Sequence, residues 1–110
     1  MKRLALLLLL LAPRAWAVDT VALPTCPAST TCAAVNVGKI RDKTLEIDVT
    51  GTCNVRVDCR VHPSQAMVQV QASVAVDTIA TLAAGLMECQ AVVGACTGSF
   101  TAYIGGFPPR

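Results

Sequence analysis

The stretch Cys53-Asn54-Val55-Arg56-Val57-Asp58-Cys59-Arg60-Val61-His62 constrains the fold more than any other in the chain. Its polar and apolar residues alternate with period two, the mark of a half-buried strand, and a cysteine stands at each end of the apolar face. Six residues of strand separate Cys53 from Cys59 by ~20 Å at ~3.3 Å per residue. A disulfide needs Cα atoms within about 7 Å, so these two cysteines cannot bond to each other and must bond elsewhere. Four more are present, Cys26, Cys32, Cys89 and Cys96. Excluding the Cys53/Cys59 pair leaves about twelve of the fifteen complete connectivities. The preferred one closes Cys26 on Cys32 and carries Cys53 and Cys59 to Cys89 and Cys96, tying the central strand to the C-terminal half.

Disulfide frameworks belong to oxidising compartments, and the N-terminus agrees. Residues 1–17 have a basic start, an apolar run over 4–12 and Ala15-Trp16-Ala17 as a small-x-small cleavage site. They predict a cleaved signal peptide, a mature chain from Val18 and a secreted or periplasmic location. The apolar run is about half the ~20 residues that a membrane-spanning helix requires. The uncharged residues 89–107 are too rich in Gly, Ser and Thr for a lipid-facing helix, so no transmembrane segment is expected after cleavage. About 93 residues then remain, enough for one domain with one modest core. The expected division is a single β-rich domain over 18–104 and a flexible tail over 105–110.

The leader also removes the apparent basic character. Lys2, Arg3 and Arg14 lie in it, leaving Lys39, Arg41, Lys43, Arg56, Arg60 and Arg110 against Asp19, Asp42, Glu46, Asp48, Asp58, Asp77 and Glu88. The one basic cluster, Lys39-x-Arg41-x-Lys43, is interrupted by Asp42 and reads as a solvated connection. Nucleic-acid binding, which needs clustered phosphate-neutralising charge, is not expected.

Residues 18–38 are rich in Pro, Thr, Ser and Ala, and within them 25–32 reads as a tethered loop rather than a regular element. Residues 44–50 alternate as 53–62 do, and Thr50-Gly51-Thr52 between them predicts a hairpin. A common apolar face requires a three-residue connection that pairs Val49 with Cys53, Ile47 with Val55 and Leu45 with Val57, and sets Glu46 opposite Arg56. After a turn at His62-Pro63-Ser64-Gln65, alternation resumes over 68–76. A four-residue loop would pair Val61 with Val68, Cys59 with Val70, Val57 with Ala72 and Val55 with Val74, giving a three-stranded meander with one valine-rich face. Ile79, Leu82, Ala83, Leu86, Gln90 and Val93 then recur at helical spacing behind a capping Asp77 or Thr78. That predicts a helix over 78–93, with two short strands as the alternative. Phe100, Ala102 and Ile104 mark one face of a final strand. The fold class is mainly β and disulfide-stapled: a small antiparallel β-sandwich, or a sheet with one packed helix.

No constellation for catalysis, metal or cofactor emerges. The cysteine pairs lack the close C-x2-4-C spacing of zinc sites and the C-x-x-C of redox enzymes. His62, the single histidine, has Ser29, Ser64, Ser73 and Ser99 as candidate partners, but none in a nucleophile-elbow setting. Glu46, Asp48 and Asp58 fall on the polar face of the expected hairpin, where Arg56 and Arg60 can pair with them. These exclusions leave protein contact. The expected function is an exported protein-binding or inhibitory module, with the loops 26–32 and 62–67 as candidate contact segments. The alternative is a structural subunit of an extracellular, envelope or virion assembly, self-associating through a surplus of apolar residues in the C-terminal half: Leu82, Leu86, Met87, Val92, Val93, Phe100, Ile104 and Phe107.

Overall fold

The computed structural model describes residues 19–106. The expected signal peptide and residues 107–110 of the expected tail lie outside them. Among the described residues every regular element is a strand: β1 (Asp19–Leu23), β2 (Thr30–Thr31), β3 (Val35–Asn36), β4 (Thr44–Thr50), β5 (Cys53–Arg60), β6 (Val68–Val74), β7 (Thr78–Thr81), β8 (Glu88–Cys96) and β9 (Ser99–Gly106). They form two antiparallel sheets. One has the order β1-β9-β4-β7; in the other β8 and β5 are central, β6 flanks β5, and β2 and β3 together flank β8.

The two strongly alternating strands do not form the expected hairpin. β4 pairs with β9 and β7, and β5 pairs with β8 and β6. The Thr50-Gly51-Thr52 link is therefore an arch that carries the chain from one sheet to the other. Leu45 and Ile47 of β4 face Val55 and Val57 of β5 across a shared core, and all four are fully buried. Alternation identifies the apolar face of a strand but not its neighbour; stacking the two faces buries both, whereas a hairpin would leave one broad face for a further layer to cover. Glu46 consequently lies opposite Ile79 and Tyr103, not Arg56.

A second arch at Thr97-Gly98 joins β8 to β9 and packs on the first. The amides of Thr97 and Gly98 both donate to the Thr52 carbonyl, at 2.8 and 3.0 Å, and Thr50 is paired with Ser99. Gly51 sits at φ 76°, a conformation that glycine adopts without cost. Gly98 has no room for a side chain, because a Cβ there would lie 1.9 Å from the Thr50 carbonyl oxygen.

The expected helix over 78–93 is absent, and the alternative of two strands is what forms. Its helical spacing came from residues with different tasks. Ile79 is 70% exposed on the outer face of β7, Leu82 and Leu86 plug a loop, and Val93 is a core residue of β8. Residues 19–36 contribute three edge strands, of which the two-residue β2 falls within the expected loop over 25–32; β1 runs along β9, with Val21 opposite Ile104 and Leu23 opposite Ala102. Gly105 and Gly106 belong to β9, so the tail does not begin at 105. The expected alternation of Phe100, Ala102 and Ile104 is borne out, all three being buried.

Candidate interaction edge

The cysteines are all bonded, as Cys26–Cys32, Cys53–Cys96 and Cys59–Cys89, one of the two connectivities that the preferred reading leaves open. The two long-range bridges join residues directly opposite one another on β5 and β8. Cys53, Cys59 and Cys89 are wholly buried on the core face, so these sulfurs brace the second sheet and offer no chemistry to solvent. The Cys26–Cys32 loop is not a free projection either. Ser29 N–H donates to the Gly94 carbonyl and Cys32 N–H to that of Ala91, both at 2.9 Å, which lays the loop along the edge of β8.

Outside the core, the second sheet carries a polar ladder. Arg56 donates to both carboxylate oxygens of Asp58 at 2.9 Å, an ion pair that raises the Arg56 pKa further. Arg60 pairs with Glu88, its register partner, at 2.9 Å. Arg56 and Arg60 thus have carboxylate partners, as expected for Asp58 but with Glu88 in place of Glu46 and Asp48. Those two share the outer face of β4. Hydrogen bonding of the protonated Glu46 carboxyl to Asp48, then the Asp48 charge, and more weakly burial and Asp77, hold the Glu46 carboxyl above its ordinary value. Asp77 in turn accepts from Val49 N–H at 2.8 Å. Among the described residues no group of three or more His, Cys, Asp or Glu side chains is arranged to hold a metal ion.

Sequence reasoning missed Lys43, which is 2% exposed and not part of a solvated cluster. Its ammonium donates to the carbonyls of Ile40 and Ala84 and so ties two loops together over one end of the sandwich. Burial lowers its pKa, with the Asp42 charge acting the other way. The side chain has three N–H groups as ammonium and two as neutral amine, enough for both carbonyls in either state.

Of the four serines, the hydrogen bonds of the described residues bring Ser64 to His62. Nδ1 accepts from Ser64 N–H at 3.1 Å and lies 2.7 Å from its hydroxyl, while Gln65 N–H donates to the His62 carbonyl at 3.0 Å. No carboxylate joins them. This is a side-chain-braced turn on a fully exposed loop, held at its base by Arg60 donating to the Gln65 carbonyl.

That turn leads into β6, where the structure departs most from expectation. The predicted meander register survives only at Val55–Val74. Val57 is opposite Gln71, Asp58 opposite Gln69 and Cys59 opposite Val68, with two irregularities. The valines of β6 accordingly miss the core: Val68 is 63% exposed and Val70 and Val74 are half-buried. Among the described residues, β6 has β5 on one side and no strand on the other. Its segment 67–76, Met-Val-Gln-Val-Gln-Ala-Ser-Val-Ala-Val, contains neither charge nor proline.

Exposed edges invite further strands, and proteins blunt them with charge, proline, bulges or shortness. β6 has two irregularities in its pairing with β5; the other edges use charge, proline or shortness. β7 has four residues and is preceded by Asp77; β1 begins at Asp19 and is followed by Pro24; β2 and β3 have two residues each. Beside the start of β6, Val61, Ala66, Val68, Val70 and Leu86 line a shallow apolar hollow of about 430 Å³. The signal was present in the sequence as an uncharged run, but it could be read only once β6 was known to be terminal in its sheet. The expected apolar surplus of the C-terminal half is largely consumed by the core instead. Leu82, Leu86, Val93, Phe100 and Ile104 are buried, and Met87 remains exposed.

Comparison with protein-family models, with curated proteins and with solved structures returns no match.

Proposed function

We propose that this chain is an exported, disulfide-stabilised protein-binding module that acts by contact and not by catalysis, through the β6 edge and the apolar hollow beside it. The observation that carries this reading is the contrast among the sheet edges: three are short or flanked by charge or proline, and β6 is long, uncharged and proline-free, interrupted by two irregularities in its pairing with β5. Addition of an extended segment to such an edge gives affinity through main-chain hydrogen bonds and specificity through side-chain pockets. The hollow formed by Val61, Ala66 and Val68 supplies a pocket, and the braced turn at 62–65 stands next to it as the segment through which an inhibitory contact would be made. Three disulfides and the leader-like residues 1–17 support a secreted or periplasmic location.

Affinity capture from the native extracellular or periplasmic fraction tests the reading, with the wild-type chain and Val70→Lys compared side by side. A charge on the edge should abolish retention of the partner while the circular dichroism spectrum is preserved. Identical retention by the two proteins would refute a role for β6.

A further inference from the structure

The outer face of the β1-β9-β4-β7 sheet holds a hollow that the β6 reading does not use, and we infer that it binds an arginine side chain presented by a partner polypeptide. Register sets its walls. Ala22, Tyr103, Glu46 and Ile79 lie in one row across the four strands, and Thr20, Gly105, Thr44 and Thr81 lie in the next. Both rows point away from the core, because Leu45 and Ile104 between them are fully buried. Gly105 interrupts the second row, and Thr20, Thr44, Glu46 and Tyr103 line with it a hollow of about 410 Å³. Neither packing nor backbone conformation demands a glycine there. A Cβ at Gly105 would meet nothing closer than 3.5 Å, and its φ is not among the positive ones. A glycine inside a strand weakens it and marks a place where another group approaches closely.

Charge complementarity selects the occupant. Among the described residues the outer positions of this sheet hold Glu46 and Asp48 and no basic side chain, and neither carboxylate has an ion-pair partner. On the other sheet Arg56 and Arg60 are matched with Asp58 and Glu88. The Glu46 carboxyl is held above its ordinary value by hydrogen bonding to Asp48 and by that residue's charge, a repulsion that an incoming cation relieves. Tyr103 stands directly opposite Glu46 on β9, which puts their Cβ atoms about 5 Å apart, and its side chain is 36% exposed. A guanidinium suits this pair of neighbours: it is a flat cation that stacks on an aromatic ring and offers a fork of N–H groups to a carboxylate. A lysine ammonium brings the charge without the flat face or the fork. The hydroxyls of Thr20 and Thr44 accept from the remaining N–H groups, and Ile79, 70% exposed, keeps the other flank of the carboxylate apolar.

NMR titration of the isotope-labelled chain with acetyl-Gly-Arg-Gly-amide, in about 0.15 M salt so that long-range attraction is screened, tests this. The same peptide carrying citrulline, which keeps the shape and lacks the charge, is titrated beside it. The arginine peptide should move the amides of Glu46, Tyr103 and Gly105 and saturate at about millimolar concentration, as one side chain allows. The citrulline peptide and guanidinium chloride, the latter lacking the methylene stem that packs on the ring, should each bind about tenfold more weakly. Glu46→Gln and Tyr103→Leu should each weaken binding about fivefold. Gly105→Val should fill the hollow and abolish binding, whereas Asp42→Asn, which removes an equal charge outside the hollow, should leave it unchanged. A dispersed amide spectrum shows that each variant is folded. Equal saturation by arginine and citrulline peptides, no saturable shift with either, equal binding of guanidinium, or binding that survives Gly105→Val overturns the inference. Val70→Lys should take the arginine peptide as wild type does, so that failure at β6 and failure at this hollow are read separately.

Discussion

Two residues show how strongly position decides the effect of a single atom or charge. Gly98 sits where the two arches cross, and a Cβ there would approach Thr50 and Gly51 backbone at 1.9 to 3.1 Å, with no flexible side chain to yield. Gly98→Ala should cost about 2–3 kcal/mol in denaturant unfolding, whereas Gly85→Ala, with nothing within 4 Å, should change stability by less than about 0.5 kcal/mol. Equal effects at the two positions would show that the arches are not packed as described. Glu46 poses a question of charge. Its carboxyl is held above the ordinary 4.5 chiefly by hydrogen bonding to Asp48 and by that residue's charge, so the folded chain binds a proton there more readily than the unfolded chain. The associated stability is fully present below the unfolded value and is lost as pH rises through the folded one. Glu46→Gln should therefore melt above wild type at neutral pH, with the gap closing below about pH 4. A gap of the same size at both pH values would mean that the substitution acts through something other than this carboxylate pair.

At the scale of the element, the two arches and the two long-range bridges form one device. β4 and β5 arch over the core, β8 and β9 arch beside them, and Cys53–Cys96 clamps the pair next to the corner while Cys59–Cys89 clamps it farther along. The bridges close segments of 43 and 30 residues, for which chain entropy alone gives about 4 and 3.6 kcal/mol. They are concentric, however. Once the inner bridge is closed, the outer one closes a loop of only about a dozen residues, and its added contribution drops to about 3 kcal/mol. Removing the outer pair as Cys53→Ala with Cys96→Ala should thus cost about 3 kcal/mol plus the lost packing of buried sulfur. Removing both pairs should approach the whole stability of a domain this small. Cys26→Ala with Cys32→Ala, closing only 6 residues, should cost about 2 kcal/mol. Chemical denaturation of the three variants gives the order, and a larger loss from the Cys26–Cys32 pair than from the outer pair would contradict it.

On the scale of the whole molecule, what could be read from the sequence divides along a physical line. That Cys53 and Cys59 must bond elsewhere was legible because it depends on a distance within one strand, which period-two alternation sets without reference to the rest of the chain; which of Cys89 and Cys96 each takes was not, since it depends on how β8 lies beside β5. The buried faces of β4, β5 and β9 were legible for the same reason. Strand neighbours were not, since Leu45 and Ile47 present the same pattern whether Val55 and Val57 lie beside them or across the core. The helix expected over 78–93 failed because Ile79, Leu82, Leu86 and Val93 share a spacing by coincidence while serving an outer face, two loop positions and the core. Lys43 was hidden by composition: a lysine between Asp42 and Thr44 gives no sign that two distant carbonyls will surround its amine. The β6 edge became visible only from topology, because a charge-free run in a central strand means nothing and in a terminal strand means an open boundary.

The pairing of Asp19 with Gly106 at one end of β1 and β9 also determines how the molecule would respond to tension. Pulled apart at these two residues, β1 would peel from β9 one hydrogen bond at a time, as a zipper opens, without the simultaneous shearing that makes other strand pairs resist. Load would then pass through β4 to Cys53 and leave through Cys96, since the bridge is the shorter covalent path. The 43 residues of sequence separation that this bridge spans, with β6 and its edge among them, would remain folded in a slack loop that the force never enters.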